Sequence, residues 1–189
     1  VGALDAGSIT SGFGNIDNGS STITTTGAVS TGALSVTGAS TITVADNSDT
    51  LTLKSTDTDA TAGPILKLSR DNNSASASDV VGKIIFTAED GGNNLTDYAE
   101  FLTQITDASD GSESVRFIIK GMKAGNYRKL IDFNTTETVF NDESDDLDFR
   151  VESDGNTHAL FVDAGNNRVG INNSSPSQAL DITGNLVIS

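Results

Sequence analysis

The stretch that decides the fold is Leu160-Phe161-Val162-Asp163-Ala164-Gly165-Asn166-Asn167-Arg168-Val169-Gly170-Ile171. It holds two pairs of apolar residues, Leu160/Val162 and Val169/Ile171, separated by a segment rich in Gly and Asn. Residues one position apart point to the same side of a β-strand, so each pair predicts a short strand with one apolar face. Gly and Asn accept the backbone conformations of tight turns, so the segment between the pairs predicts their connection.

Pairs of this kind recur toward both ends of the chain. The others are Leu34/Val36, Ile42/Val44, Leu51/Leu53, Phe149/Val151, Leu180/Ile182 and Leu186/Ile188. Successive pairs begin roughly 6 to 11 residues apart, as expected for short strands joined by tight turns. One such strand buries little apolar surface, so a row of them needs a partner. Another copy of the same chain is the most available partner, and the pattern therefore predicts an elongated oligomeric fibre.

The composition also favours assembly over an independent monomer. The chain has 189 residues, 35% of them hydrophobic and 5% aromatic, with 23 Thr, 22 Ser and 19 Gly. Average soluble domains contain about 45–50% apolar residues when Gly is counted. A monomer this poor in apolar residues has difficulty offsetting the entropy lost on ordering, which leaves disorder or oligomerisation. The regular apolar pairs argue against disorder.

Charge and residue content exclude several classes of function. The net charge is −15, from 11 Lys and Arg against 26 Asp and Glu, which argues against nucleic-acid binding and against anionic membrane surfaces. No run approaches 18 apolar residues, so no membrane insertion is expected. The absence of Cys excludes disulfides and thiolate chemistry. The chain begins at Val1 without a signal-peptide pattern, which predicts either a protein without such a signal or a fragment of a longer one.

Three regions differ in character. Residues 1–60 repeat a Thr-Gly-Ala unit, seen at Thr31-Gly32-Ala33 and Thr37-Gly38-Ala39, and predict a repetitive β shaft. Residues 61–140 hold longer apolar runs and most of the aromatic and basic residues. They predict a compact antiparallel domain with a sandwich-like core. Residues 141–189 predict a β-ribbon shaft with Gly-Asn turns. The fold class expected is therefore all-β, with intertwined ribbon or prism shafts flanking the compact domain.

Individual segments of the middle region carry more specific expectations. Residues 65–68, 80–86, 115–119 and 130–133 predict strands, whereas residues 98–105 have mixed apolar spacing and fit a strand or a short helix. Polar loops are expected at residues 71–78, 88–94 and 121–128. Basic residues cluster here, so any receptor contact is expected from these loops; they are Arg116, Lys120, Lys123, Arg128 and Lys129.

Two stretches resemble tail-fibre proteins of tailed bacteriophages. The first is Asn167-Arg168-Val169-Gly170-Ile171-Asn172-Asn173-Ser174-Ser175-Pro176, followed by Ala179-Leu180-Asp181-Ile182-Thr183-Gly184-Asn185. It resembles a module with a Val-Gly-Ile-Gly-Thr-type strand, a Ser-Pro turn and a Leu-Asp-Val-x-Gly-Asn strand, found ahead of C-terminal trimerisation or chaperone domains. The second joins Leu66-Lys67-Leu68-Ser69-Arg70, Val81-Gly82-Lys83-Ile84-Ile85-Phe86 and Tyr98-Ala99-Glu100, and is similar to a domain of environmental-phage fibres.

The resemblance covers roughly residues 30–189 and implies a homotrimer on the virion tail, outside the cell. Its implied partners are other tail, baseplate or adaptor proteins and a host surface polysaccharide or protein receptor. Asn172 and Asn173 depart from the Gly-Thr of the family, and no chaperone domain follows Ser189, which implies cleavage or a chain that stops there. The residues predicted to form the trimer core are Leu34, Val36, Ile42, Val44, Phe149, Val151, Leu160, Val162, Val169, Ile171, Leu180 and Ile182.

Catalytic and metal chemistry have few candidates. The only histidine, His158, is expected at the surface, and no nucleophile is identifiable beside it. A glycosidase needs two carboxyl groups at a set separation, and aromatic platforms for sugars are limited to Tyr98 and Tyr127. The acidic run of residues 141–148 is expected to be a solvated linker, with calcium as the one cofactor left open. No enzyme activity is expected. Two alternatives remain: the non-catalytic part of a polysaccharide-degrading tailspike, and a bacterial surface adhesin.

Overall fold

A computed structural model describes residues 19–20, 22–61 and 63–188. All of the regular structure in these residues is β, which confirms the all-β class. The strands are β1 (Val80–Glu89), β2 (Leu95–Asp107), β3 (Ser114–Lys123), β4 (Asn126–Phe133), β5 (Thr138–Phe140), β6 (Phe149–Ser153), β7 (Asn156–Asp163), β8 (Arg168–Ile171) and β9 (Leu180–Ile182). Residues 1–18 of the predicted shaft lie outside the described residues.

The first sheet is an antiparallel meander in the order β1-β2-β3-β4-β5. β3 and β4 meet through a two-residue turn, Ala124-Gly125, in which both residues have positive φ (48° and 78°). This is the backbone of the hairpin turns that match the twist of paired strands. The loop expected over residues 121–128 is therefore wrong, because most of it belongs to the two strands.

The ambiguous segment of residues 98–105 lies within β2. Its apolar residues look irregular because both faces of this strand carry them. Phe101 pairs with Ile84 of β1 on one face, and Leu102 pairs with Lys83 on the other. A strand with apolar residues on both faces lacks the simple alternation that identifies a half-buried strand.

The second sheet has the order β6-β7-β8-β9. β6, β7 and β8 pair antiparallel, whereas β8 and β9 pair parallel. Only residues 172–179 connect β8 to β9, although parallel strands usually need a dozen residues or more between them. The Arg168 side chain donates a hydrogen bond of 2.8 Å to the Pro176 carbonyl, which fastens this short crossover. The Thr183-Gly184-Asn185 turn signal follows β9, with no strand after it in the described residues.

The predicted strands of the N-terminal region do not form within the single chain. Residues 22–61 and 63–79 contain no strand, so the expected strand at residues 65–68 is also absent. The apolar pairs affected are Leu34/Val36, Ile42/Val44 and Leu51/Leu53. An isolated strand has no backbone partner for its N–H and C=O groups, and this chain supplies none to these segments.

The expected sandwich-like core is also wrong for the single chain. Each of the two sheets is one layer, and the only apolar side chains buried among the described residues are Leu102, Ile118, Phe161 and Pro176. By internal contacts, the chain divides into two units, Val1–Asp59 and Ala60–Ser189, so both sheets belong to the second unit. One-layer sheets leave their apolar faces without a cover, and these faces are the main feature of the molecule.

Candidate functional site

One face of the first sheet is apolar across all five strands. Ile84 pairs with Phe101, which pairs with Ile119; Ile119 pairs with Ile131, which in turn pairs with Phe140. Directly paired residues share one face of a sheet, so these five side chains form a continuous row. We call this side of the sheet the first apolar face. It also carries Phe86, Val115, Phe117 and Phe133.

Four phenylalanines form a ladder across the first apolar face. The ring centroids of Phe86 and Phe101 lie 5.7 Å apart, those of Phe101 and Phe117 6.3 Å, and those of Phe117 and Phe133 6.2 Å. Aromatic pairs at these separations stabilise each other beyond the area they bury. The ladder links four strands, so it holds the face together as a single rigid surface.

Exposure distinguishes this face from an ordinary protein core. All four ladder phenylalanines are exposed in the single chain. Ile84 and its neighbour Ile85 point to opposite faces of β1, yet their exposed fractions are 43% and 44%. The buried side chains of the first sheet, Glu100, Leu102, Ile118 and Asp132, nevertheless all lie on the opposite, charged face, so the face lined by aromatic rings is the one left open in the single chain. Contiguous exposed apolar patches mark interaction surfaces.

The second sheet repeats this arrangement with the residues predicted from the sequence. Cross-strand pairing places Phe149, Val162, Val169 and Leu180 in one row. A second row on the same face, the second apolar face, holds Val151, Leu160, Ile171 and Ile182. The structure thus brings eight of the twelve predicted trimer-core residues onto one surface. The other four, Leu34, Val36, Ile42 and Val44, are exposed and lie outside any strand.

The opposite side of the first sheet, the charged face, carries buried ion pairs. Glu100 and Asp132 are only 4% and 3% exposed. Lys83 approaches Glu100 at 3.0 Å and Lys120 approaches it at 3.3 Å. Arg116 approaches Asp132 at 3.3 Å. Buried carboxylates need such partners, because an unpaired charge away from water is costly.

The acidic run of residues 141–148 is not a free linker. Asp142 pairs with Lys129, while Arg128 pairs with Glu143 and Asp145, each at 3.0 Å. A short Asn141 turn fixes the run, since the Asn141 side chain donates to the Asp145 carbonyl at 2.6 Å and accepts from the Asp145 N–H at 3.0 Å. The run connects β5 to β6 and is mostly exposed, as expected of a solvated linker, but it is ordered because it returns over β4 and pairs with Arg128 and Lys129.

The basic residues expected to serve recognition all have partners inside the chain. Besides the pairs above, Lys123 donates to the backbone carbonyl of Asp146. Their long side chains are thus ordered by contacts within the chain. His158 is half-buried, with its ring 5.1 Å from that of Phe161 and the Thr157 hydroxyl 2.9 Å from its Nδ1. These contacts give His158 a packing role beside the turn that joins β6 to β7.

Sequence reasoning missed the first apolar face, although its signal was present. Ile84/Phe86, Phe117/Ile119 and Ile131/Phe133 are apolar pairs one position apart, like those of the ribbons. The sequence predicts that pairs in residues 61–140 lie inside a sandwich, because a sheet with an apolar face normally has a second layer. The sequence does not reveal that this second layer is missing from the chain.

Comparisons with known proteins add no family. No protein-family model matches the chain, and no curated protein matches it either. In the described part of the chain, no helix is long and apolar enough to cross a membrane. No group of three or more His, Asp or Glu among the same residues is arranged to hold a metal ion. The geometry of the two apolar faces is therefore the main guide to function.

Proposed function

We propose that this chain is a structural segment of a homotrimeric bacteriophage tail fibre, without enzyme activity, that takes part in host attachment. The observation that carries the proposal is the exposure of most of the first apolar face in the single chain, together with a second apolar face whose residues are exposed or half-buried. Other copies of the chain cover these faces in the assembled fibre. The partners of the assembly are other tail, baseplate or adaptor proteins and a polysaccharide or protein on the host surface.

The accessible surface supports a need for partner chains. The chain exposes 15267 Å² at a mass of 19.5 kDa. A folded monomer of this mass is expected to expose roughly 8,500 Å². The excess includes the apolar faces of both sheets and residues 22–61 and 63–79, which contain no strand. Assembly into a trimer removes apolar surface from water, which is the main favourable contribution to association.

The N-terminal pairs fit the same proposal. Leu34, Val36, Ile42 and Val44 are exposed because this chain offers them neither a core nor a neighbouring strand. In an intertwined shaft, each strand obtains both from the other two chains. The three-fold count itself comes from the resemblance to tail fibres at residues 167–185, where Val169 and Ile171 lie on β8.

Adjacent residues on β1 provide a matched test. Ile84→Asn changes the first apolar face, and Ile85→Asn changes the charged face at equal exposure in the single chain. We expect the wild-type protein to sediment as a trimer of a 19.5 kDa chain. Ile84→Asn should abolish the trimer or lower its melting temperature strongly, because each subunit would bury a polar amide without a partner. Ile85→Asn should leave the assembly intact.

Each outcome bears on the proposal in a different way. A folded monomer for the wild-type chain would refute assembly altogether. A dimer would retain assembly but refute the trimeric fibre. Equal effects of the two substitutions would show that the first apolar face is not the interface. A polysaccharide-degrading tailspike or a bacterial adhesin would require a catalytic domain or a secretion signal in the full open reading frame.

A further inference from the structure

The charged face of the first sheet contains a pocket of about 220 Å³. Four of the chain's 11 Lys and Arg residues line it: Lys83, Arg116, Lys120 and Lys129. Concentrating four cations in one pocket is unusual for a chain with a net charge of −15. Their positions come from β1, β3 and β4, so rigid strands rather than loops hold them.

The charges in this pocket are layered. Glu100 and Asp132, which pair with the cations, are nearly completely buried and do not line the cavity. Lys129 also pairs with Asp142, which lies outside the lining. The cationic side chains above them are 23–40% exposed. Glu143 is the one acidic residue in the lining, and Arg128 already holds it at 3.0 Å. A ligand that enters the pocket therefore contacts ammonium and guanidinium groups rather than the buried carboxylates.

Tyr127 supplies a further hydrogen-bond donor. It lines the pocket, and its hydroxyl oxygen is buried without a hydrogen-bond partner among the described residues. Burial raises the pKa of Tyr127, with Glu100 and Asp97 adding to the effect, so the hydroxyl keeps its proton and can donate it. The Lys120 ammonium lies 5.9 Å from the centre of the Tyr127 ring, which brings a cation close to this donor.

We propose that this pocket binds a small oxyanion, the carboxylate or phosphate group of a polar ligand. The Tyr127 hydroxyl donates one hydrogen bond to it, and Lys83, Lys120, Lys129 and Arg116 provide the positive charge. Charge-assisted hydrogen bonds of this kind are the strong ones in proteins. The site lies within one chain and opposite the first apolar face, so it does not depend on the proposed assembly. A trimer would carry three copies, and weak sites add through avidity.

Tyr127→Phe is the sharpest test, because it removes a hydroxyl that has no hydrogen-bond partner among the described residues. Its melting temperature should equal or exceed that of the wild type, since a buried hydroxyl without a partner is destabilising. Tyr98→Phe removes the other tyrosine hydroxyl of the chain, which lies outside the pocket lining, and serves as the matched control. Both variants are compared with the wild-type chain in its native oligomeric state.

Binding is followed by amide chemical shifts of the ¹⁵N-labelled protein during separate titrations with inorganic phosphate and with glucuronate. Sodium chloride keeps the ionic strength constant, which separates binding from screening. We expect saturable shifts at the residues around the pocket, with an affinity roughly tenfold weaker in Tyr127→Phe and unchanged in Tyr98→Phe. The ligand should also raise the melting temperature of the wild type more than that of Tyr127→Phe.

The two ligands separate the sources of the oxyanion. Saturation with glucuronate alone would assign the site to a carboxylate, and saturation with phosphate alone would assign it to a phosphate group. No saturable shift with either ligand would overturn the proposal. So would equal affinities in wild type and Tyr127→Phe, because the ion would then be bound without the hydroxyl. A trimer that binds neither ligand would refute this site while leaving the proposed fibre intact.

Discussion

Phe140 and Phe149 lie with their ring centroids 4.8 Å apart. Phe140 belongs to the row of Ile131 on the first apolar face, and Phe149 belongs to the row of Val162 on the second. The contact between the two rings therefore joins the two apolar faces at the point where one sheet ends and the next begins. The two faces are continuous at this contact, so a partner chain that covers one face should also cover the other. Assembly along the two sheets should therefore be cooperative.

The double substitution Leu180→Asp with Ile182→Asp should dissociate the assembly. Both residues lie on the second apolar face, and each buried Leu or Ile contributes about 1.5–3 kcal/mol. A three-fold assembly loses this contribution three times. The control, Gln178→Asp with Thr183→Asp, adds the same charge beside the same strand at exposed positions. Light scattering that shows equal mass for both double variants would contradict the inward position of Leu180 and Ile182.

Asp132→Asn should destabilise the first sheet by about 1–3 kcal/mol, because Arg116 and Lys129 would lose a buried counter-charge. The figure is below that for a fully buried pair, since both cations keep access to water. Glu152→Gln removes a carboxylate that pairs with Arg150 on the open surface, and should change stability by less than about 1 kcal/mol. Urea unfolding of both variants measures the difference. A similar midpoint for the two would show that the Asp132 pairs add little.

Gly170→Ala should disrupt the second sheet. An added Cβ at Gly170 would overlap the carbonyl oxygen of Asn173, where the chain turns back toward β9. The short crossover cannot yield easily, because the Arg168 side chain is bonded to its Pro176 carbonyl. Gly91→Ala is the control, with open space around the position and no positive φ, and should be neutral or slightly stabilising. Unchanged melting of Gly170→Ala would mean that the crossover adopts another path.

Asp90 should make the free energy of unfolding depend on pH in the acidic range. Hydrogen bonds from the backbone N–H groups of Asn94 and Gly92 lower the pKa of Asp90 from 3.8. A carboxyl group whose pKa is lower in the folded state stabilises the fold above its unfolded pKa, and this contribution is lost as the pH falls through the folded value. Asp90→Ala should therefore be less stable than the wild type at neutral pH, with a gap that closes below pH 3.8. A gap that is constant with pH would exclude this cause.

The isolated chain should not hydrolyse host polysaccharide. The carboxylates with the deepest burial, Glu100 and Asp132, are held in ion pairs with Lys83 and Arg116. A general acid must reach the bond that it protonates, and both of these carboxyl groups are nearly completely buried. Incubation with host envelope material and a reducing-end assay checks this. Activity that disappears on changing one Asp or Glu would contradict the prediction.

The C-terminal apolar face was predictable residue by residue. Strand geometry requires that Leu160 and Val162 share a face, and Gly155 in the first turn has a φ of 79°, as its Gly-Asn signal implies. The all-β class follows from the same local patterns. The parallel pairing of β8 with β9 could not be predicted in this way, because nothing in residues 172–179 distinguishes a crossover from a hairpin connection.

Tertiary structure alone decided which side chains pair on each sheet face and whether a second layer covers it. The sequence by itself determined that Ile84 and Phe86 share one face of β1 and that Phe117 and Ile119 share one face of β3, since that spacing is local. It did not determine that Glu100 would lie beneath Lys83 and Lys120, or that the acidic run would return over β4. Those contacts join residues far apart in the chain, and they depend on strand register. The single layer of each sheet is also a tertiary property, because a second layer within the chain would leave the same local spacing of apolar residues.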